Sequence, residues 1–401
     1  MNEASEQSLD DVCEFIVDCL HNTAPTQAEG YPLIRTPNIG KGRLELTDVH
    51  RVSEDTYKEW TRRALPESGD LILAREAPAG NVAIVKDGER VCLGQRTVHL
   101  RPDKRKVDPD FLCYFLLAPQ QQGMLLAGET GATAKHVNMK DIRRLPLCGL
   151  PSLPVQRQIG ALLAAYDDLI ENNRHRMVLL EESARLLYQE WFVHLRFPGH
   201  QCIHFVDGVP VGWEHLPAPE VIEINPRVRL SDDNEHWFVG MSDLATDSMA
   251  IQGAIMREGR SGSKFQNGDT LFARITRCLE NGKTGFVNFL APDDAGFGST
   301  EFIVLRSKLV TPEFVYCLAR TYAFRENAIK SMIGSSGRQR VQESCFAKFN
   351  VWVPPQAILS EFSAMAVPIF EQVKTLHAQN QRLRAARDLL LPRLMSGEIA
   401  V

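Results

Sequence analysis

The stretch "GDLILAR" (69–75) returns as "GDTLFAR" (268–274), 199 positions further along a chain of 401 residues. Each copy opens on glycine, which enters a tight turn at little cost, passes through an apolar centre of strand character and ends on arginine. Such an echo asks whether the two halves are copies, and repeats are settled before anything else. Other pairs keep the same order at an offset of about 200. "YPLIRTPNI" (31–39) faces "HWFVGMSDL" (236–244), and "TGATAKHV" (130–137) faces "GSSGRQRV" (334–341). "LPVQRQI" (153–159) faces "VPPQAIL" (353–359). "TVHLRPDKRKVDPDFLCYFLL" (97–117) and "FIVLRSKLVTPEFVYCLAR" (302–320) both close an apolar run on Leu-Arg. In both, a proline, an acidic residue and a phenylalanine then lead into a helical pattern. The chain is a duplication.

Each half ends in a long segment of helical period. Over 155–193 the apolar positions include Ile159, Leu162, Leu163, Tyr166, Leu169, Ile170, Met177, Leu180, Ala184, Leu187 and Trp191. Over 356–395 they include Ile358, Phe362, Met365, Ile369, Val373, Leu376, Leu383, Leu390 and Leu394. Steps of three and four predict amphipathic helices. Pro154 suits a first turn, whereas Pro368 and Pro392 predict a kink and an end. A helix of about 38 residues spans roughly 57 Å, more than a core helix needs. The rest reads as short strands, "NVAIV" (81–85), "TVHL" (97–100), "TGFVNF" (284–289) and "EFIVL" (301–305), with helices near 110–118 and 312–321.

The expected fold is therefore α+β. Two duplicated mixed α/β domains alternate with two long α-helices that pack as an antiparallel coiled coil, with pseudo-twofold symmetry. The boundaries expected are 1–152 and 198–352 for the domains, and 153–197 and 353–401 for the helices. Leu162, Leu169, Leu180, Leu187, Ile369, Leu376, Leu383 and Leu390 are the expected seam. Asn172, Asn173 and Asn380 lie on or near it, where a buried asparagine can fix register.

Composition narrows the class. With 44% apolar and 24% charged residues the chain reads as globular, and no run approaches the ~20 apolar residues of a membrane span. The acidic start "MNEASEQSLDDVCEF" lacks a secretory pattern. Nine cysteines occur singly, without a CxxC pair, as expected of reduced thiols in the cytoplasm. Net charge is −5, yet basic islands stand out: "RPDKRK" (101–106), "KHVNMKDIRR" (135–144), "REGRSGSK" (257–264), "RITR" (274–277) and "GRQRV" (337–341).

Catalytic patterns are missing. There is no P-loop, no GxGxxG opening a helix after a strand, and no Asn-Pro-Pro-aromatic tetrapeptide. "PDD" (292–294) with "EFI" (301–303) has Ile303 where a nuclease pattern needs lysine. His194, His200, Cys202 and His204 match no standard zinc spacing and read as a domain junction. The chain reads as a binding and assembly device. Two similar globules on antiparallel helices would share the symmetry of a DNA duplex read on both strands, with the helices as a ruler between half-sites about 34 Å apart.

On "GDLILAREAPAGNVAIV" (69–85), the "GATAKHV" loop (131–137), the helix phrases "IENN" (170–173) and "WF" (191–192) with "FPGH" (197–200), and "LRAARDLLLPRLMSGEI" (383–399), the chain resembles the specificity subunit of Type I restriction-modification systems. The resemblance covers nearly the whole length; 1–30 and 218–235 match only loosely. It implies two target recognition domains, a bipartite asymmetric DNA target and no catalysis by this chain. It also implies two modification (methyltransferase) subunits and restriction (motor-nuclease) subunits as partners, in the cytoplasm. S-adenosylmethionine, ATP and Mg are then expected on those partners, with no cofactor on this chain.

Base readout needs long donors on loops, so Lys135, His136, Ser336, Arg338, Gln339 and Arg340 are the leading DNA-binding candidates. Arg75 and Arg274 end the repeated strand, and Arg35, Arg62, Arg63 and Arg277 accompany them. Each could instead be a structural ion pair or a solvated side chain. Trp213 and Trp237 read as core rather than as base-stacking platforms. Two rival readings are a scaffold whose domains bind proteins, for which the acidic net charge argues, and a fused methyltransferase, against which the absent motifs argue.

Overall fold

A computed structural model describes residues 7–47, 49–127, 136–206, 208–231, 235–335 and 337–401. The chain forms two compact units, one of residues 1–171 with 381–401 and one of residues 172–380. The boundary cuts both long helices, so each unit contains part of each.

In the first unit the repeated stretch supplies strand Leu71–Ala74, in a five-stranded sheet ordered Cys13–Asp18, Thr97–Pro102, Leu71–Ala74, Val82–Ile84, Gly42–Arg43. In the second it supplies Thr270–Ala273, in a four-stranded sheet ordered Ile222–Ile224, Phe302–Ser307, Thr270–Ala273, Thr284–Phe286. The register is the same: Leu71 faces Leu100 as Thr270 faces Leu305, both antiparallel. The pair "YPLIRTPNI" and "HWFVGMSDL" is also one structure built twice. Strands Tyr31–Ile34 and Glu235–Val239 run parallel to Cys92–Leu93 and Ala295–Gly298. Each then enters a 3-10 turn whose first backbone N–H is capped by a side chain: Arg35 N donates to Asn38 Oδ1 at 3.1 Å, Gly240 N to Asp243 Oδ2 at 2.6 Å.

The aspartate of the repeated phrase explains why the phrase recurs. Gly69 and Gly268 have φ of +94° and +87°, a turn that glycine adopts without strain. The next residue is a buried aspartate that caps the same turn, accepting from Glu67 N at 2.9 Å or Gln266 N at 2.8 Å. Its carboxylate also takes a two-pronged grip from the arginine of the Leu-Arg echo. Arg101 reaches Asp70 at 2.9 and 2.8 Å, and Arg306 reaches Asp269 at 2.7 Å on both prongs. Planar donor forks match carboxylates in this way. In the first unit His99 Nε2 adds a contact to Asp70 at 2.6 Å. Burial works to raise the Asp70 pKa, but the bonds from His99 and Arg101 outweigh it and hold the pKa at about 2.

Helices Pro109–Leu117 and Pro312–Arg320 cover these sheets, capped by Asp108 and Thr311. Each is tied to the first long helix through tyrosine. Tyr114 donates to Asp167 at 2.6 Å, and Tyr316 to Glu181 at 2.5 Å. Glu181 also accepts from Met249 N at 2.6 Å.

The long helices are Leu153–Tyr188, closed by a π-turn over Gln189–Val193, and Gln356–Met395. The second runs as one helix through Pro368, which is exposed, and ends at Met395, close to the end expected near Pro392. The helices pack antiparallel within each unit. In the first, Asp167 binds Arg387 while Ile159 and Leu163 share a core with Leu394. In the second, Asn173 Nδ2 donates to Asn380 Oδ1 at 2.9 Å while Tyr188 and Trp191 pack on Phe362. Both asparagines are buried, as a register-fixing pair requires; Asn172 is exposed.

The expected seam needs correction. Leu376 is buried, and Leu180, Leu187, Ile369, Leu383 and Leu390 are half-buried, but Leu162 and Leu169 are 38% and 48% exposed. The buried positions of the first helix are Gln156, Ile159, Gly160, Leu163, Ala164, Asp167, Ile170, Asn173, Met177, Glu181, Ala184 and Tyr188. Four of them, Gln156, Asp167, Asn173 and Glu181, are polar, so a stripe traced by apolarity alone slides onto neighbouring leucines.

Asp269→Ala would leave Arg306 without its partner, a change that typically costs about 3–5 kcal/mol. Urea unfolding should show that loss, and a smaller one when both residues become leucine. Because Asp70 titrates below its unfolded value, its contribution is complete above about pH 4. It disappears as pH falls toward about 2, a loss on the order of 2 kcal/mol. Urea midpoints from pH 5 to 2, compared between the wild type and Asp70→Asn, should converge at the acid end.

Candidate nucleic-acid interface

The two basic loops are fastened in the same way. In the first unit Val137 N donates to Arg75 O at 2.9 Å, and Glu76 bridges His136. In the second Val341 N donates to Arg274 O at 2.9 Å, and Ile275 bridges Arg340. The residue that ends the repeated strand is held on its other side too. Arg75 N donates to Arg96 O at 3.0 Å and Arg274 N to Glu301 O at 2.9 Å. The chain therefore returns, at Val137 and at Val341, to the end of the repeated strand.

In the second unit the loop is a small hairpin. Ile333 and Arg340 exchange backbone bonds at 3.1 and 3.0 Å. Gln339 N donates to Thr276 Oγ1 at 2.9 Å, and Thr276 N donates to Gln339 O at 3.1 Å. Gln339 is thus held by its backbone and half-buried, and its amide head has no hydrogen bond among the described residues. Arg338 and Arg277 are exposed and make no ion pair among the described residues. Arg340 donates through Nε and Nη2 to Glu301 at 2.9 and 2.5 Å. That fork holds the Glu301 carboxyl below the ordinary carboxylate range. Arg274 is turned inward, with Nη2 donating to Val341 O at 3.1 Å and Nη1 3.6 Å from Glu343. Its Nε is buried without a bond among the described residues.

Arg274 also lines a cavity of about 620 Å³ with Asn225, Arg227, Ser263, Lys264 and Thr300. Neither Arg227 nor Lys264 is ion-paired among the described residues. Three cations around one opening suit an anion. Lys264 belongs to a basic island already visible in the sequence; Arg227 lies in a stretch whose loose match to the family gave no signal.

In the first unit Arg35 is exposed at the cap of its 3-10 turn, with no ion pair among the described residues, and Arg62 and Arg63 are exposed after helix Glu54–Trp60. Arg75 is instead committed internally: its Nη1 donates to Asp18 at 2.6 Å, and the side chain is 18% exposed. His136 is half-buried at its bridge. Lys135 and Ser336 lie outside the described residues. Trp213 is buried, and Trp237 packs against a core cluster.

Among the described residues no group of three or more His, Cys, Asp or Glu side chains is placed to hold a metal ion. His200 Nδ1 lies 2.8 Å from Phe197 O, and Cys202 is exposed. No two of the nine cysteines form a disulfide. No helix of the described residues is long and apolar enough to cross a membrane.

Residues 1–182 match the family described as the Type I restriction modification DNA specificity domain. The chain is 23% identical to the Type I restriction enzyme MjaIX specificity subunit of Methanocaldococcus jannaschii, over 87% of this chain and 82% of that protein. It is 20% identical to the HindI specificity subunit of Haemophilus influenzae, over 83% and 87%. The fold is similar to the crystal structure of a Type I restriction-modification S subunit from M. genitalium, with a TM-score of 0.54, 13% identity, and 98% and 97% of the two chains covered.

Free and committed arginines should differ in stability experiments. Arg277→Ala and Arg338→Ala should leave denaturant midpoints within about 0.5 kcal/mol of wild type. Arg75→Ala, which strips Asp18 of its cation, should cost about 1 kcal/mol or more.

Proposed function

We propose, for a chain that stands among the specificity subunits of Type I restriction-modification systems, that it reads a bipartite, asymmetric DNA sequence, one half per unit. On this reading the chain is not itself an enzyme. It positions two modification subunits and the restriction subunits, and S-adenosylmethionine, ATP and Mg act on those partners.

The observation that carries the reading is the loop anchorage built twice. Val137 and Val341 fasten two loops of different sequence to the same point of two copies of one sheet. A shared scaffold with divergent tips is what reading two different half-sites requires. The two units carry residue types suited to base edges and phosphates: Arg277, Arg338, Gln339 and Arg340 in one, Arg35 and His136 in the other. The partner subunits would supply much of the phosphate clamp, which reconciles the net charge of −5 with a DNA ligand. Arg227, Lys264 and Arg274 around their cavity are the phosphate seat this chain offers in its second unit.

Co-expression with the neighbouring modification and restriction genes, followed by methylome sequencing, tests the reading. A split adenine-methylated motif that vanishes when this chain is deleted is the expected result. An active system without such a motif contradicts it and favours a protein-binding scaffold. On the assembled methyltransferase, the double change Arg338→Ala with Arg340→Ala should weaken site-specific binding. Losing a phosphate contact at Arg277 or Arg338 should flatten the plot of log affinity against log salt by about 0.9 per contact.

A further inference from the structure

Arg340 is anchored and presented at once. Its backbone is bridged to Ile275 on one side and to Ile333 on the other. Its side chain is 50% exposed, whereas that of Glu301, which grips it, is 20% exposed. Glu301 is rooted at the start of strand Phe302–Ser307, where its carbonyl accepts from Arg274 N at 2.9 Å. The grip occupies the Nε–Nη2 edge of the guanidinium. A guanidinium has five N–H donors in one plane, so the edge formed by Nη1 and Nη2 still points outward with parallel donors.

The first unit holds a related arginine–carboxylate pair at the equivalent place, made by a single ion contact rather than a fork. Arg96, immediately before strand Thr97–Pro102, occupies the place that Glu301 has before Phe302–Ser307. Glu76, which bridges His136, occupies the place of Ile275, which bridges Arg340. Arg96 Nε lies 3.2 Å from Glu76 Oε2, and the two side chains are 52% and 20% exposed. Arg96 has φ of +71°, an uncommon backbone for a residue other than glycine. Both units thus show an exposed arginine steadied from behind by a sheltered carboxylate, at the point where the loop meets the sheet.

We propose that Arg340 and Arg96 each read a guanine from the major groove, with Glu301 and Glu76 as the positioning residues that aim them. This rests on the reading of the chain as a DNA specificity subunit. Charge decides between base and phosphate. An arginine paired with a carboxylate carries almost no net charge, so it gains little from a polyanionic backbone. Its directed donors are intact, and guanine O6 and N7 offer two acceptors side by side to match them. The unpaired Arg277 and Arg338 are the better phosphate partners. Fixing one edge also removes rotamer freedom that a long side chain would otherwise lose on binding.

The test selects binding sites from randomised duplexes with the assembled methyltransferase, using wild type, Arg340→Ala, Arg340→Lys, Glu301→Gln, Arg96→Ala and Glu76→Gln. Arg340→Ala should reduce discrimination at one base pair of one half-site about tenfold to a hundredfold. Glu301→Gln should relax that same base pair, and the double variant should match Arg340→Ala alone. Arg96→Ala and Glu76→Gln should relax one base pair of the other half-site. Arg340→Lys keeps the charge but lacks the fork, so it should lose the preference and keep the salt dependence. A uniform loss of affinity with unchanged base preferences, or a flatter salt dependence, would overturn the assignment. A wild-type complex that selects no sequence at all would overturn the underlying DNA reading, a result the variants cannot mimic.

Discussion

The buried contact between the aspartate of the Gly-Asp turn and the arginine of the adjacent strand, made once in each unit, is the constraint on which the rest of the architecture depends. Asp70–Arg101 and Asp269–Arg306 bring together residues 31 and 37 positions apart. The same carboxylate caps the turn that starts the central strand. Register follows: the strand is buried on both faces, so a slip by one residue would exchange the side chains between its two sides and leave a buried carboxylate whose partner had moved. Because the strand's start is fixed, its end is fixed too, and with it the point to which each basic loop returns. The loops can then differ in sequence without disturbing the sheet.

Much of this was legible in the sequence because duplication leaves a double trace. Gly69 and Gly268, the Leu-Arg echoes and the paired helix starts located the same strands and covering helices in both halves, and Asn173 with Asn380 stood out as polar points in helical stripes. The meaning of the aspartate was hidden, since an Asp after a turn glycine is ordinary until its arginine is seen beside it. Sequence could not phase the first long helix, because Asp167, Asn173 and Glu181 are buried through partners distant in the chain. Among the arginines, sequence had no means to separate Arg75, committed to Asp18, from Arg277 and Arg338, which are free of ion pairs among the described residues.

The sorting of cations has a functional consequence. On the proposed reading, arginines held internally build the platform, unpaired ones supply charge, and exposed ones steadied by a sheltered carboxylate supply direction. Tyr114 on Asp167 and Tyr316 on Glu181 tie the covering helix of each unit to the first long helix.

The central claim is that each unit reads its own half of one split target. The most direct measurement is methylome sequencing of two chains expressed with wild-type partners, one substituted only in the 333–340 hairpin and one only at 35 and 96. The account requires each set to alter one half of the methylated motif, a different half for each, with the other half and the spacer unchanged. Alteration of both halves by either set, or of neither half by folded and assembled variants, would contradict it.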